Sequence, residues 1–104
     1  MRPIHLVRLD KTRPAVVLTR EPVRSRRRWV SVAPIKSKAL GLATEVLVDE
    51  RNGIEHGSAV DCDSIQTVLV DDVGRQVGFL LDGQEEDLAR AISTAFDLAD
   101  FGPL

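Results

Sequence analysis

The sequence has little of what marks secreted or membrane proteins. It contains a single cysteine, Cys62, so no disulfide can form within the chain, and a reducing cytoplasm is the predicted compartment. No apolar run approaches the roughly 20 residues that span a bilayer. The apolar stretch nearest the N-terminus, residues 4–9, is interrupted by His5 and Arg8. Neither a membrane partner nor a signal peptide is therefore expected.

Composition predicts an ordinary soluble domain without a metal. The chain has 104 residues, 43% of them hydrophobic and 29% charged, which fits one globular domain over residues 1–104 and excludes extended disorder. No cluster of histidine, cysteine and carboxylate side chains has the spacing of a metal site. We therefore expect neither a metal nor another cofactor.

The overall charge of -2 hides a division along the chain. Residues 1–38 carry eight arginines and three lysines against two acids, a net charge of +9, whereas residues 39–104 have a net charge of -11. Such asymmetry favours a polyanionic partner such as nucleic acid, and the acidic half would suit a basic partner or confer solubility. The alternative, that the two halves neutralise each other in the fold, stays open.

Short strands dominate the predicted secondary structure until a helix closes the chain. Alternating or continuous apolar patterns predict strands at residues 4–9, 15–19, 29–33, 44–48, 58–62, 66–70 and 76–81. Asn52-Gly53 supplies the backbone angles of a turn, and the polar residues 20–28 form a predicted loop. Trp29, which opens the third strand, is expected to lie in the core.

After residue 81 the apolar period changes from 2 to 3.6, which predicts a helix from about Gln84. Its apolar face comprises Leu88, Ala91, Ile92, Ala95, Phe96 and Ala99. Asp82 and Glu85 have the spacing of a capping box. Many short strands and one C-terminal helix predict a small, strongly bent antiparallel barrel, because closure hides strand edges.

Polar side chains flank the ends of two of these strands, where a substrate could meet them. Arg13 stands one or two residues ahead of the second predicted strand. The third strand breaks at Pro34 and delivers Lys36, Ser37 and Lys38 into a loop. Cations and a hydroxyl at two strand ends suit a phosphate ester, since a guanidinium fork matches phosphate oxygens.

Five segments of the chain form a recognisable series, in this order: RPAVVL at 13–18, VAPI at 32–35, TEV at 44–46, DSIQTV at 63–68 and VGFL at 77–80. Together, and ahead of a C-terminal helix, they resemble the MazF/PemK toxins of bacterial toxin-antitoxin modules, and most closely their short actinobacterial members. The resemblance implies a mainly β fold with a C-terminal helix, a small SH3-like antiparallel barrel of the PemK/MazF/CcdB type. It also implies a homodimer.

The function that the resemblance implies is that of a type II toxin: a metal-independent, sequence-specific endoribonuclease held inactive by a cognate antitoxin. Cleavage of single-stranded RNA in this family proceeds by attack of the ribose 2'-hydroxyl on the adjacent phosphorus. The products are a 2',3'-cyclic phosphate and a free 5'-hydroxyl.

Three residues are the predicted catalytic set. The family's essential arginine maps onto Arg13, whose permanent charge suits stabilisation of the transition state better than proton transfer; a purely structural pairing with a carboxylate is the alternative. Lys36 stands where the family usually has threonine or serine, and the hydroxyl is displaced to Ser37. Either Ser37 takes over, or Lys36 contributes charge or acid catalysis, or the enzyme is weakened.

The predicted RNA-binding set is larger. His5 occupies a first-strand position where family members often have an aromatic residue, and it could stack on a base or act as a base itself. The loop at residues 20–28, which we call the basic loop, could flank the RNA groove beside Arg13 and contact phosphates there. The full set is His5, Arg20, Arg24, Arg26, Arg27, Arg28, Lys38, Asp63, Ser64 and Gln66. For each of them, a solvated or structural role is the alternative.

A second class of function stays open, a binding module without chemistry on the same barrel. Toxins of the gyrase-poisoning CcdB type act in this way, but those relatives typically end in Trp-Gly-Ile, whereas residues 99–104 read ADFGPL. A lapsed MazF-like regulator that binds RNA or antitoxin without cleavage is motivated by Lys36 alone.

Overall fold

The computed structural model describes residues 1–21 and 26–98, which form seven strands and one α-helix. The strands are β1 Arg2–Arg8, β2 Thr12–Val17, β3 Trp29–Lys36, β4 Glu45–Val48, β5 Ser58–Asp61, β6 Gln66–Leu69 and β7 Val73–Leu80. The helix, α1, spans Glu85–Ala95. Each predicted strand and the predicted helix is present, with bounds that differ by a few residues.

Every strand pairing is antiparallel, and β3 lies at the centre. The order is β4-β5-β3-β2-β1-β7, with β6 paired to β3 off this path. One edge of β3 pairs with β6 over Trp29–Val32 and then with β5 from Ile35. Pro34 lies where that edge changes partner, a place where a missing N–H is tolerated. The prediction that the strand ends before Pro34 was therefore wrong, and Lys36 is a strand residue.

Arg13 also lies inside a strand rather than ahead of one. It is the second residue of β2 and stands opposite Val7 of β1. The polar residues Thr12 and Arg13 carry no apolar signal, so sequence alone placed the start of β2 too late. The backbone of Arg13 is held by the pairing with β1, and β2 gains its second neighbour, β3, two residues later at Ala15.

Both faces of the central strands are covered. Consecutive strand residues point to opposite faces, so Val16 belongs to the larger apolar cluster with Leu80 and Leu88, whereas Ala15 and Val17 belong to a second cluster. This two-sided burial explains the continuous apolar runs in β2 and β3. The helix covers the larger cluster through Leu88 and Ala91, as its predicted face requires.

Trp29 corrects a sequence expectation. It was expected in the core, but it is 51% exposed. Trp29 lies on the same face of β3 as Ala33 and Ile35 of the larger cluster, but it opens the strand, where that face is uncovered. Phe96 was likewise placed on the apolar face of the helix; it follows the end of α1 and is exposed. Ala99 lies outside the described residues.

The start of the helix is built differently from the predicted capping box. Asp82 pairs with the N-terminal ammonium, 3.3 Å away, and Glu85 pairs with Arg2. Gln84 makes the capping hydrogen bond instead, since its side-chain oxygen accepts the Leu81 N–H at 2.9 Å. The same oxygen accepts a bond of 2.7 Å from the buried Asn52 amide.

Asn52 joins the β4–β5 connection to the end of β7. Its Nδ2 also donates to the Phe79 carbonyl at 2.8 Å, and its side-chain oxygen accepts the Asp49 N–H at 3.2 Å. Gly53 follows in the left-handed region at φ 77°, as the Asn-Gly turn predicts. A side chain there would meet the Val77 carbonyl, because an ideal Cβ would lie 2.2 Å from its oxygen.

Removing this buried amide is expected to destabilise the fold. Asn52→Ala removes its hydrogen bonds to Gln84, to the Phe79 carbonyl and to the Asp49 N–H from a buried site, a cost of about 1–3 kcal/mol in the free energy of unfolding. Urea titration monitored by circular dichroism measures it, with the exposed Glu86→Ala as the control. Equal midpoints for the two variants would show that the amide pair contributes nothing to stability.

Candidate active site

Arg13 is held by a bidentate ion pair. Its Nε lies 2.9 Å from Oδ1 of Asp10 and its Nη2 lies 3.0 Å from Oδ2. The hydrogen bond from Arg13 holds the pKa of Asp10 well below its usual range, and the same bond raises the pKa of Arg13. Nη1 makes no bond to the described residues. The pair thus orients a permanent cation with one nitrogen available to a ligand.

Lys36 is fixed in a second ion pair. Its ammonium contacts Oε2 of Glu45, whose side chain is only 1% exposed. Hydrogen bonding to Glu45 raises the pKa of Lys36. Burial alone would raise the pKa of Glu45, but the hydrogen bonds from Lys36 and from two backbone N–H groups outweigh it, so that its pKa is lowered. Both groups are therefore charged at neutral pH.

The Glu45 carboxylate also organises the loop between β3 and β4. Its Oε1 accepts the N–H groups of Leu40 at 3.0 Å, Gly41 at 2.8 Å and Leu42 at 3.0 Å. Gly41 has φ 79°, the left-handed conformation that lets successive N–H groups converge on one anion. Sequence reasoning missed Glu45, although a lone acid at a strand start just after a glycine-containing loop is a signal of this arrangement.

Arg13 and Lys36 line the same cleft, which has a volume of about 290 Å³. Its walls combine these two cations, two carboxylates, two neutral polar side chains and an apolar floor. The lining residues are Leu9, Asp10, Arg13, Pro34, Ile35, Lys36, Asp61, Ser64 and Gln66. We call this the Lys36 cleft.

Ser37 faces a neighbouring cleft of about 380 Å³, which we call the Ser37 cleft. Lys11, Thr12 and Ser58 are among its polar lining, and Leu6, Pro14 and Val77 supply apolar surface. Arg13 and Ile35 line both clefts. Arg13 therefore stands between two depressions, with Lys36 in one and Ser37 in the other.

The turn after β5 provides the far wall of the Lys36 cleft. Asp61 caps this turn, accepting the Asp63 N–H at 3.1 Å and the Ser64 hydroxyl at 2.9 Å. The Thr44 hydroxyl donates to the Asp63 carboxylate at 2.6 Å. Ser64 and Gln66 line the cleft, and their role in reading a base stays a prediction. Asp63 does not line it and braces the turn against Thr44.

Several predicted RNA-binding residues lie away from both clefts. His5 donates from Nδ1 to the Gly74 carbonyl at 2.8 Å, in one tautomer, and lines neither cleft. Lys38 is exposed beyond them. Asp10 was not a sequence candidate, but it lines the Lys36 cleft. The turn before β2 brings its carboxylate back onto Arg13.

The described arginines of the loop at residues 20–28 stand at the opposite end of β3 from Lys36. Arg26, Arg27 and Arg28 precede β3 and Arg20 follows β2, so the length of β3, about 23 Å at about 3.3 Å per residue, separates this loop from the cleft. The expectation that the loop flanks the Arg13 groove is not met within one chain. Arg24 lies outside the described residues.

Residues 6–96 match the PemK-like, MazF-like toxins of type II toxin-antitoxin systems. The match begins within β1 and runs through the other six strands to the end of the helix. The chain belongs to this family. The resemblance carried by the five sequence segments is therefore confirmed.

Individual MazF proteins give the same result. Endoribonuclease MazF3 of Mycobacterium tuberculosis is 56% identical over 98 residues, which cover 94% of this chain and 95% of the relative. The structure of the M. tuberculosis toxin MazF-mt6 superposes with a TM-score of 0.92 at 55% identity, over 95% of this chain and 100% of that one. A mycobacterial endoribonuclease in complex with its cognate antitoxin has a TM-score of 0.83 at 16% identity, covering 94% of each chain, and shows the shared fold.

These similarities confirm the predicted barrel and the prediction of a MazF-type endoribonuclease toxin, and they do not favour the binding-module alternative. Within residues 1–21 and 26–98, no helix is long and apolar enough to cross a membrane. The same residues contain no group of three or more histidine, cysteine and acidic side chains placed to hold a metal ion.

Proposed function

We propose that this MazF-family chain cleaves single-stranded RNA at specific sequences without a metal, with the scissile phosphate bound at Arg13 between the two clefts. The observation that carries the proposal is that Arg13 lines both clefts while its orientation is set by Asp10. Nucleotides on either side of the phosphate would then occupy the Lys36 and Ser37 clefts.

The chemistry needs positive charge where the phosphorane forms. The 2'-oxygen loses its proton and bonds to the adjacent phosphorus, and the bond from phosphorus to the 5'-oxygen breaks as that oxygen takes up a proton. A cyclic phosphate and a 5'-hydroxyl result. Arg13 supplies a fixed guanidinium for the developing charge, which preorganised donors stabilise strongly in a cleft. Its raised pKa argues against a role in proton transfer.

Lys36 has the better geometry to replace the family hydroxyl. It shares the Lys36 cleft with Arg13, Ser64 and Gln66, whereas Ser37 faces the other side. With its pKa raised by Glu45, Lys36 is a weak proton donor at neutral pH. We assign it a second positive charge on the phosphorane, and we assign Ser37 a contact to the flanking nucleotide.

Two carboxylates in the Lys36 cleft limit non-specific attraction. Asp10 and Asp61 balance the formal charges of Arg13 and Lys36, so binding depends on directed hydrogen bonds rather than on a net positive field. Ser64 and Gln66 are placed to contact base edges, the source of sequence preference on unpaired RNA.

The proposed partners follow from the family. Structures of distant relatives contain a cognate antitoxin or the MazE–MazF pair of Deinococcus radiodurans. We propose that a cognate antitoxin inhibits this chain by occupying the groove in place of RNA, that two copies form the homodimer, and that the toxin acts in the cytoplasm. Light scattering of the purified chain, alone and with its antitoxin, measures both assemblies.

The experiment that tests the function is cleavage of a long, mostly unstructured RNA in excess EDTA, with cut sites mapped by primer extension. We expect discrete cuts that disappear when the RNA is annealed to its complement. Cutting that requires added magnesium, or cutting of duplex and single strand alike, would contradict the proposal.

Ser37→Ala is expected to change the cleavage rate by less than about tenfold. The hydroxyl lies in the flanking cleft, where it contributes a neutral hydrogen bond of about 0.5–1.5 kcal/mol. Single-turnover rates on a short RNA containing the mapped site measure the effect. A loss as large as that of Arg13→Ala would instead identify Ser37 as the replacement for the family hydroxyl.

A further inference from the structure

Glu45 connects two parts of the candidate site without lining the Lys36 cleft or the Ser37 cleft. One oxygen, Oε2, holds the Lys36 ammonium, and the other, Oε1, gathers the N–H groups of residues 40–42. The carboxylate is almost wholly buried behind the Lys36 cleft. A substrate in the Lys36 cleft would meet Lys36, and one in the Ser37 cleft would meet Ser37 at the start of the loop, but neither would meet Glu45.

We propose that Glu45 is a positioning residue for RNA cleavage: its buried carboxylate fixes the Lys36 ammonium in the cleft wall and sets the path of the loop that carries Ser37. This inference rests on the proposed function of Arg13 and Lys36. It assigns Glu45 a role that acts through its neighbours rather than on the RNA.

The ion pair with Glu45 restricts the flexible side chain of Lys36. A threonine or serine at residue 36 would have a short side chain with few rotamers, whereas lysine has a flexible four-carbon stem with many rotamers. Asp61 and Asp63 also attract the ammonium electrostatically. Glu45 restricts it to one place, next to Arg13 in the same cleft.

The loop contacts make the buried charge tolerable. A buried carboxylate is costly unless several donors satisfy it, and here three backbone N–H groups and one ammonium do so. Because the N–H groups of residues 40–42 converge on the same anion, the chain between β3 and β4 has one anchored conformation. Lys36 and the loop are thus fixed by one side chain.

Two variants, made singly and together, test whether Glu45 acts on cleavage through Lys36. Glu45→Gln keeps a side-chain oxygen for the loop N–H groups but removes the negative charge that holds Lys36. Lys36→Met removes the ammonium and retains a long stem. If Glu45 acts through Lys36, Glu45→Gln alone lowers kcat by about tenfold or more with little change in KM, and adds no further loss in the Lys36→Met background. The exposed Glu86→Gln is the matched control.

Chemical labelling reports the position of Lys36 without reference to activity. The chain has three lysines, Lys11, Lys36 and Lys38. With limiting acetic anhydride and mass spectrometry, we expect Lys36 to be protected in the parent protein and labelled several-fold faster in Glu45→Gln, while Lys38 is labelled equally in both. Melting temperatures identify any variant that fails to fold.

Two results would overturn the inference. One is a Glu45→Gln variant that cleaves within about twofold of the parent protein; the other is losses that multiply in the double variant, because independent effects would exclude action through Lys36. A parent protein that does not cleave at all would overturn the proposed function itself. Lys36 labelling would then still decide whether Glu45 fixes the lysine.

Discussion

Arg13→Ala is expected to lower kcat/KM for RNA cleavage by about 100- to 1000-fold, the loss typical of removing a preorganised donor to a developing charge. The guanidinium lies between the two clefts and keeps Nη1 free of the described residues, so alanine leaves both clefts open but removes the charge between them. Single-turnover cleavage of a short RNA containing the mapped site measures the effect.

The matched control for Arg13 is Arg51→Ala. Arg51 is also paired to an aspartate, with its Nε 3.1 Å from Oδ1 of Asp49, and it lines neither the Lys36 cleft nor the Ser37 cleft. Exposed ion pairs contribute little to stability, so both variants should fold and only Arg13→Ala should lose activity. Equal activity of the two variants would remove Arg13 from the mechanism.

Lys36→Ala is expected to lower kcat by about 10- to 150-fold. Hydrogen bonds to charged groups contribute about 1.5–3 kcal/mol, and each 1.36 kcal/mol of transition-state stabilisation is about tenfold in rate. The loss falls mainly on kcat because the second charge is needed most when the phosphorane forms. Lys36→Arg should restore part of the rate, since it returns the charge.

Lys38→Ala controls for the loss of a nearby positive charge. Lys38 lies two residues beyond Lys36, is exposed and lines neither cleft. Its removal should weaken binding slightly at low salt and leave kcat unchanged. If Lys36→Ala and Lys38→Ala behave alike, Lys36 contributes only general electrostatic attraction, and the assignment of its charge to the phosphorane would be wrong.

The fold was largely predictable because its signals are local. Alternating apolar residues marked each strand, and the change of period after residue 81 marked the helix. The errors also have local causes. Thr12 and Arg13 are polar residues in a strand paired on both edges, and Pro34 occupies a strand position only because β3 changes partner there. Trp29 is exposed because it opens β3, where the face that Ala33 and Ile35 bury further along the strand is uncovered.

The cations of the candidate site were predictable from the sequence, but the partner of Lys36 was not, because that contact crosses a loop. Arg13 and Lys36 were found from their place beside apolar strands. The partner of Lys36 was not, since Glu45 follows nine residues later across a loop whose path only the structure shows. Arg20 and the arginines at 26–28 show the opposite error. They are near Arg13 in sequence, yet they lie where β2 ends and β3 begins, at the far end of β3 from Lys36.

The role that we propose for Lys36 differs from that of the threonine or serine that the family usually has at this position. A hydroxyl can share or transfer a proton, whereas an ammonium held by Glu45 supplies charge. The structure thus fits an enzyme that relies on two fixed cations, Arg13 and Lys36, each oriented by a carboxylate, Asp10 and Glu45. Neither carboxylate was a sequence candidate.

The most direct test of metal-free cleavage at Arg13 uses the mapped RNA with a single 2'-deoxynucleotide before the scissile phosphate, in excess EDTA. The account predicts that the ribose substrate yields a 2',3'-cyclic phosphate and a 5'-hydroxyl by mass spectrometry, that the deoxy substrate stays intact, and that Arg13→Ala cleaves neither. Cleavage of the deoxy substrate, or products with a 5'-phosphate, would contradict it.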